Sequence, residues 1–377
     1  MTITPNPTLP SASGRSAVAD PAPPVDDDLL DTLLGQAVGD LGSLRTGTLV
    51  VLGDRLGLYR ELASSGSLTA AELAGSTGTV ERNVREWLSA QAAAGYVTHD
   101  GRVGGAERFS LSAEQAEVLT NEDSPAFVVG GFQAMAAATR SVDQLTDAFR
   151  TGHGLDWSQH EHDLFHGTHR FFRPGYRANL VEHWIPALQD VERRLVDGCR
   201  VADVGCGLGA STILLAEAFP RSTFVGFDMH APSISEARAC ASDALVADRV
   251  TFEVAGAGSY PGGDFDLVCF FDCLHDMGDP VGALSHVVST LTDDGTVLLV
   301  EPFAGDDLAD NLNPVGRVFY AASTLICTPA SQAQEVGLAL GAQAGEARLR
   351  EVAAQAGLTQ FRRVAETPFS LVLEARR

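Results

Sequence analysis

Through the first third of the chain apolar residues recur every three to four positions, and beyond residue 199 they gather into short continuous runs separated by helical patterns. In LTAAELAGSTGTVERNVREWLSAQAAAGYVTHDG the spacing predicts a short helix over 69–74 and a turn at Gly75 and Gly78. A second helix follows, with Val84, Trp87, Leu88 and Ala92 on one face and Gly95 at its end. Segments 96–98 and 108–111 can pair as a hairpin, which makes a winged helix. Residues 28–120 are therefore expected to form a mostly helical winged-helix domain. Residues 121–199 read as helical linker and pocket lining, through FVVGGFQAMAAATRSVDQLTDAFR and NLVEHWIPAL. Runs at 200–204, 223–227, 250–254, 266–271 and 296–300 predict parallel strands covered by helices on both faces, and 361–366 with 370–375 an antiparallel hairpin at one edge. The expectation for 200–377 is an α/β, Rossmann-like sheet of seven strands.

Composition narrows the chemistry. At 377 residues there is room for two cores, and 45% hydrophobic with 20% charged content is that of a folded protein. All 26 basic residues are arginine, which excludes Schiff-base chemistry and a P-loop lysine. A net charge of -23 repels phosphate backbones and anionic membranes, so a small molecule is the expected partner. Within 68–120 four arginines face seven acids, so the helix-turn-helix is expected to serve packing or homodimerisation; a DNA-reading regulator is the alternative from another class. The six cysteines show no CxxC pair, as expected of reduced thiols in the cytoplasm. Residues 1–27, rich in Pro, Ala, Ser and Asp, read as a disordered tail, and nothing later is apolar for long enough to span a membrane.

The first strand of the C-terminal part runs into VADVGCGLGASTILLAEAFP. Gly205, Gly207 and Gly209 lie at a strand-to-helix turn, where a missing Cβ admits a ligand to the backbone and the next helix offers free N–H groups. The spacing is G-x-G-x-G, not the dinucleotide G-x-G-x-x-G, with Asp203 ahead of it and Asp228 ending the next strand. DVGCGLG with these two acids resembles the glycine motif of class I S-adenosylmethionine-dependent methyltransferases. The resemblance covers about 199–377 and implies that the glycine turn holds the methionyl end of S-adenosylmethionine and Asp228 the ribose. Where many members place an acid for adenine, this chain has Gly256 and Ala257, so backbone or Phe270, Phe271 and Asp272 are expected on the cofactor.

FFDCLHDMGD leaves the fourth strand at its carboxyl end, where ligands bind in open α/β sheets. With the winged helix in front, LHDMGDP resembles the segment that carries the general base in small-molecule O-methyltransferases of the caffeic-acid and hydroxyindole kind, and is closer still to bacterial winged-helix methyltransferases. The resemblance implies His275 as base. Glu301, ending the next strand, is the expected orienter of its imidazole and Asp276 the substitute. A packing role for His275 is the plain alternative. A metal-assisted C-methylation of a 2-oxo acid is another, but no histidine follows His286, which leaves only Cys327 or Asp306 as further ligands, so no metal site is assigned. In HGLDWSQHEHDLFHGTHRFFRPGY the histidines 162, 166 and 169 share a helical face without an evident carboxylate and read as solvated or substrate-lining. Phe165, Phe172 and Tyr176 are expected pocket walls. Asn313, Arg317 and Tyr320 are expected on the substrate's polar end, with Arg317 suited to a carboxylate.

Overall fold

The computed structural model describes residues 25–377; the expected tail at 1–27 lies almost wholly outside the described residues. The chain divides into two compact units between Leu44 and Arg45. The described part of the first is helical, within α1 (Asp27–Arg55), and exposes Leu30, Leu33, Leu34, Val38, Leu41 and Leu44.

The second unit opens with α2 (Leu58–Ser65), β1 (Leu68–Thr69), α3 (Ala70–Thr77), α4 (Glu81–Ala93), β2 (Thr98–Val103), β3 (Ala106–Ser110) and α5 (Ala113–Thr120), a winged helix whose three strands run β1-β3-β2. Thr69 starts α3 through a reciprocal capping box with Glu72. The helix runs on through Gly75, and only Gly78, at φ +65°, makes the predicted turn, because a single left-handed residue suffices to end a helix. The wing begins at Thr98, two residues later than expected, since the Tyr96 and Val97 N–H groups both close back onto the Gln91 carbonyl. Trp87 packs edge-on against Tyr59 and donates to the Leu49 carbonyl at 2.9 Å, so this core has a hydrogen-bonded centre.

Helices α6 (Val129–Ala138), α7 (Val142–Thr151) and α8 (His162–Asn179) follow, then a π-helical turn over Leu180–Trp184, α9 (Ile185–Ala187) and α10 (Val191–Asp197). Small residues bring α6 and α8 together: a Cβ on Gly167 would lie 2.4 Å from the Ala134 nitrogen. The sheet domain is β4 (Arg200–Val204), α11 (Ala210–Ala218), β5 (Thr223–Asp228), α12 (Ala231–Asp243), β6 (Val250–Val254), β7 (Phe265–Phe271), α13 (Pro280–Thr290), β8 (Leu291–Pro302), α14 (Pro314–Ala322), α15 (Thr328–Gln332), α16 (Gly345–Gln355), β9 (Gln360–Glu366) and β10 (Ser370–Arg376). Its order is β6-β5-β4-β7-β8-β10-β9, parallel except for β10. The expected hairpin forms, with its second strand inserted against β8 and its first at the edge. Strand order reverses between β4 and β7, which opens a crevice at their carboxyl ends.

Alternation along β7 decides what reaches that crevice. Leu267, Cys269 and Phe271 face the layer of α8, α11 and α12, whereas Phe265, Val268 and Phe270 face α13 and α16. Phe270 is wholly buried in that second layer, so the expectation that it touches the cofactor is corrected: neighbouring strand residues point to opposite faces. Burying such a side chain contributes about 1.5–3 kcal/mol, reason enough for an aromatic there.

Candidate active site

A cavity of about 480 Å³ fills the crevice. Its floor is the β4–α11 turn. Gly205 stands at φ +74°, where a Cβ would meet Cys273 Sγ at 2.7 Å, while Gly207, at φ +51°, has open space beside it. Gly209 does not line the cavity; it packs under the Phe252 ring, 2.5 Å from where its Cβ would be, and starts α11. Asp203 is buried beneath the turn and accepts from the Ser211 and Thr212 hydroxyls, both at 2.6 Å. Burial pushes its carboxyl up to about 6 against those donors. It shapes the loop from below and is not in the lining.

Asp228 is in the lining. Its two oxygens accept the Gly207 and His230 N–H groups at 2.9 and 2.8 Å, leaving the carboxylate edge turned to the cavity. Burial raises its carboxyl, opposed by those N–H groups. Residues 255–258, with Gly256 and Ala257, form the adjoining wall. Asp272, at the carboxyl end of β7, adopts φ +51°, uncommon for a residue with a Cβ, and its Oδ2 accepts from the Tyr176 hydroxyl at 2.6 Å. Its Oδ1 is buried without a partner, and burial pushes the group up to about 7 against the Tyr176 bond. An open glycine cradle, the Asp228 carboxylate in the lining and Asp272 with one oxygen unpartnered fit a ligand carrying a diol and a positive charge, such as S-adenosylmethionine.

The roof is α8 with the segment before it. Phe165, Thr168, His169, Phe172 and Tyr176 line the cavity together with Trp157. Phe165 stacks on His230, centroids 4.1 Å apart, and Phe172 on Tyr176 at 6.1 Å. Burial lowers the His169 imidazole to about 4, helped by Arg173 and His166, so it faces the cavity neutral. The sequence pattern did not single out His230, Trp157 or Gln334; only the histidine- and aromatic-rich run around 157–176, with His169 in it, carried any signal.

His275 lies beside the cavity but not in its lining. It is 5% exposed, and its Nδ1 is 2.6 Å from Glu301 Oε2, whose other oxygen accepts the Leu274 N–H at 3.0 Å. Cys327, at the end of the π-helical turn Ser323–Cys327, lies close enough to act on the same imidazole. Burial by itself would lower this imidazole, but Glu301 and Cys327 outweigh it and hold it well above the usual histidine range. The substitute orienter, Asp276, instead lines the cavity, and burial pushes its carboxyl up to about 7 against the attraction of His275. Gln334 latches this turn, accepting from the Gly278 N–H and donating to the Asp276 carbonyl.

Three expectations are corrected by placement. Asn313 caps α14 through the Gly316 N–H at 2.9 Å, Arg317 is exposed on that helix, and Tyr320 is half-buried; none lines the cavity. The helix lies outside the crevice because its apolar face, with Phe319, packs into a separate core with α6 and α8. Asp306, a fallback ligand for a metal at His275, accepts the Ala347 N–H at the start of α16. Among the described residues the only convergence of three metal-ligand side chains lies elsewhere, at His162, His166 and Glu236.

A family model for a methyltransferase domain matches residues 195–347, and one for an Rv2258c-like winged HTH domain matches residues 45–121. The chain is 26% identical over 313 residues to the mitomycin biosynthesis 6-O-methyltransferase of Streptomyces lavendulae, covering 79% of this chain and 81% of that one. It is 24% identical over 181 residues, 43% of this chain and about half (48%) of the relative, to the probable tocopherol O-methyltransferase, chloroplastic, of Oryza sativa subsp. japonica. Human N-acetylserotonin methyltransferase, solved in complex with SAM, shares the fold with a TM-score of 0.69 at 17% identity, over 93% of this chain and 98% of that one. With its methyltransferase-domain match, its winged HTH match and the order of its sheet, the chain is a class I S-adenosylmethionine-dependent methyltransferase with an N-terminal winged-helix domain.

Proposed function

We propose that the enzyme methylates a hydroxyl of a small, largely apolar or aromatic molecule, with His275 as general base and Glu301 fixing its imidazole. The observation that carries this reading is the buried 2.6 Å contact between His275 Nδ1 and Glu301 Oε2 at the carboxyl ends of adjacent strands, next to the cavity wall. S-adenosylmethionine, when bound, supplies a methyl on a positively charged sulfur. Gly205, Gly207, Asp228 and the 255–258 backbone would hold it, and Asp272 and Phe271 flank the crevice beside it. Phe165, Phe172, Trp157 and Tyr176 exclude water and stack on the acceptor; holding acceptor and methyl in line accounts for most of the catalysis. The Glu301 carboxylate fixes which ring nitrogen carries the proton and leaves Nε2 to take one.

The lining contains Asp228, Asp272, Asp276 and Asp279 and, among the described residues, no arginine. An anionic 2-oxo acid is therefore poorly matched, and a neutral acceptor fits. A second reading rests on Asp276, which faces the cavity directly and is poised to hold a proton near neutral pH. Labelled methyl transfer to a panel of phenols separates the two. His275→Gln should lower kcat by about 10²- to 10⁴-fold with S-adenosylmethionine still bound. A loss of that size in Asp276→Asn, with His275→Gln within about threefold of wild type, would move the base to Asp276.

The winged helix fits a packing role. Between residues 68 and 120 its four arginines, Arg82, Arg85, Arg102 and Arg108, each pair with an acid of the same domain, Glu86, Glu81, Glu107 and Glu72, which leaves no basic face there for phosphates. No helix among the described residues is long and apolar enough to cross a membrane.

A further inference from the structure

We propose that His162, His166 and Glu236 form a divalent transition-metal site, of the kind zinc occupies, at the rim of the cavity, where it ties α8 to α12. His162 and His166 stand four residues apart on one face of α8, and α12 brings Glu236 to them from 70 residues further along the chain. His162 Nε2 lies 2.9 Å from Glu236 Oε1, His166 Nε2 lies 3.1 Å from Glu236 Oε2, and the two imidazole nitrogens are 3.0 Å apart. Ligand atoms sharing a face of a tetrahedral or octahedral shell, with bonds of about 2.0–2.1 Å, are about 2.9–3.4 Å from one another. Hydrogen bonds satisfy such a triangle poorly, because each imidazole offers one proton or one lone pair at that nitrogen, whereas a cation accepts all three. Two imidazoles and one carboxylate suit zinc, cobalt(II) or nickel(II) better than magnesium or calcium. The three side chains are a third to two-thirds exposed, which leaves room for a water as a further ligand.

The place of the site gives it a role. Helix α8 supplies Phe165, His169, Phe172 and Tyr176 to the cavity, and α12 begins just after Asp228 and His230. Phe165, between the two histidines in sequence, stacks on His230. A bound metal would therefore hold the aromatic roof down on the ribose side of the crevice. His169, one turn further, lies in the cavity lining and takes no part.

The test is titration of the metal-free, full-length protein with Co²⁺, followed by its visible absorption, alongside Zn²⁺ in thermal denaturation. Wild type is expected to take up one equivalent with nitrogen–oxygen ligand-field bands, no thiolate charge-transfer band, and a Zn²⁺-dependent rise in Tm. The His162→Ala/His166→Ala variant should lose the equivalent and the rise, and Glu236→Gln should weaken both. Because the side chains are exposed, these variants should fold; if the double variant does not, Glu236→Gln alone decides. No uptake by wild type, undiminished uptake by the variants, or a thiolate band marking one of the six cysteines as ligand would each overturn the proposal.

Discussion

The decisive residue is His275, and its surroundings set a pH dependence with a definite sign. Glu301 and Cys327 hold the imidazole well above the usual range, which favours the protonated ring. A group whose folded value is raised contributes stability that is complete below its unfolded value, about 6.5, and is lost as pH rises through the folded one. Activity needs the neutral ring, so kcat/KM should climb with pH on the alkaline side of neutrality. In Glu301→Gln the opposing charge is gone, and the midpoint of that climb should fall toward about 6.5 while the plateau drops by about tenfold or more. A pH–rate profile of both enzymes checks this, and an unchanged midpoint would remove Glu301 from the role of orienter. The pairing of these two residues was legible from adjacent strand ends. Cys327 was legible only as a fallback metal ligand beside His275, because a π-helical turn, which has no sequence signature, brings it near the ring.

The glycine turn shows how one element divides its duties. Gly209 and Gly207 both have positive φ, but a methyl on Gly209 runs into Phe252 while one on Gly207 points into open cavity. Gly209→Ala should destabilise the protein by about 1–3 kcal/mol, seen as a drop in Tm. Gly207→Ala should cost only the conformational strain, about 1–2 kcal/mol, and show itself instead as weaker S-adenosylmethionine binding by calorimetry. Equal losses of Tm with unchanged affinity would deny Gly207 its place against the cofactor. The G-x-G-x-G pattern announced this turn, but not which glycine serves packing, since the opposing Phe252 comes from β6.

At the scale of the molecule, the N-terminal helix leaves Leu30, Leu33, Leu34, Val38, Leu41 and Leu44 exposed at three- and four-residue spacing, far more apolar stripe than a solitary helix keeps in water. Homodimerisation through this stripe is the proposal that covers it. Leu33→Asp with Leu41→Asp should turn a dimer into a monomer in sedimentation velocity at micromolar concentration, and an unshifted sedimentation coefficient would place the contact elsewhere. The net charge of -23 opposes association at low ionic strength, so wild type should dimerise more tightly as salt is added.

Local patterns in the chain determined the β–α alternation, the glycine turn with its two acids, the winged helix and the His275–Glu301 pairing, because each depends on periodicity, turn chemistry or neighbouring strand ends. Contacts between segments remote in sequence decided the rest. Strand alternation hid Phe270 and kept Phe271 at the crevice; the packing of α14 against α6 and α8 took Asn313, Arg317 and Tyr320 away from the cavity; and the approach of α12 to α8 set Glu236 against two histidines that had shown no carboxylate partner in the sequence. Which way a side chain faces across tens of residues is fixed by how layers pack, and a linear pattern carries no record of it.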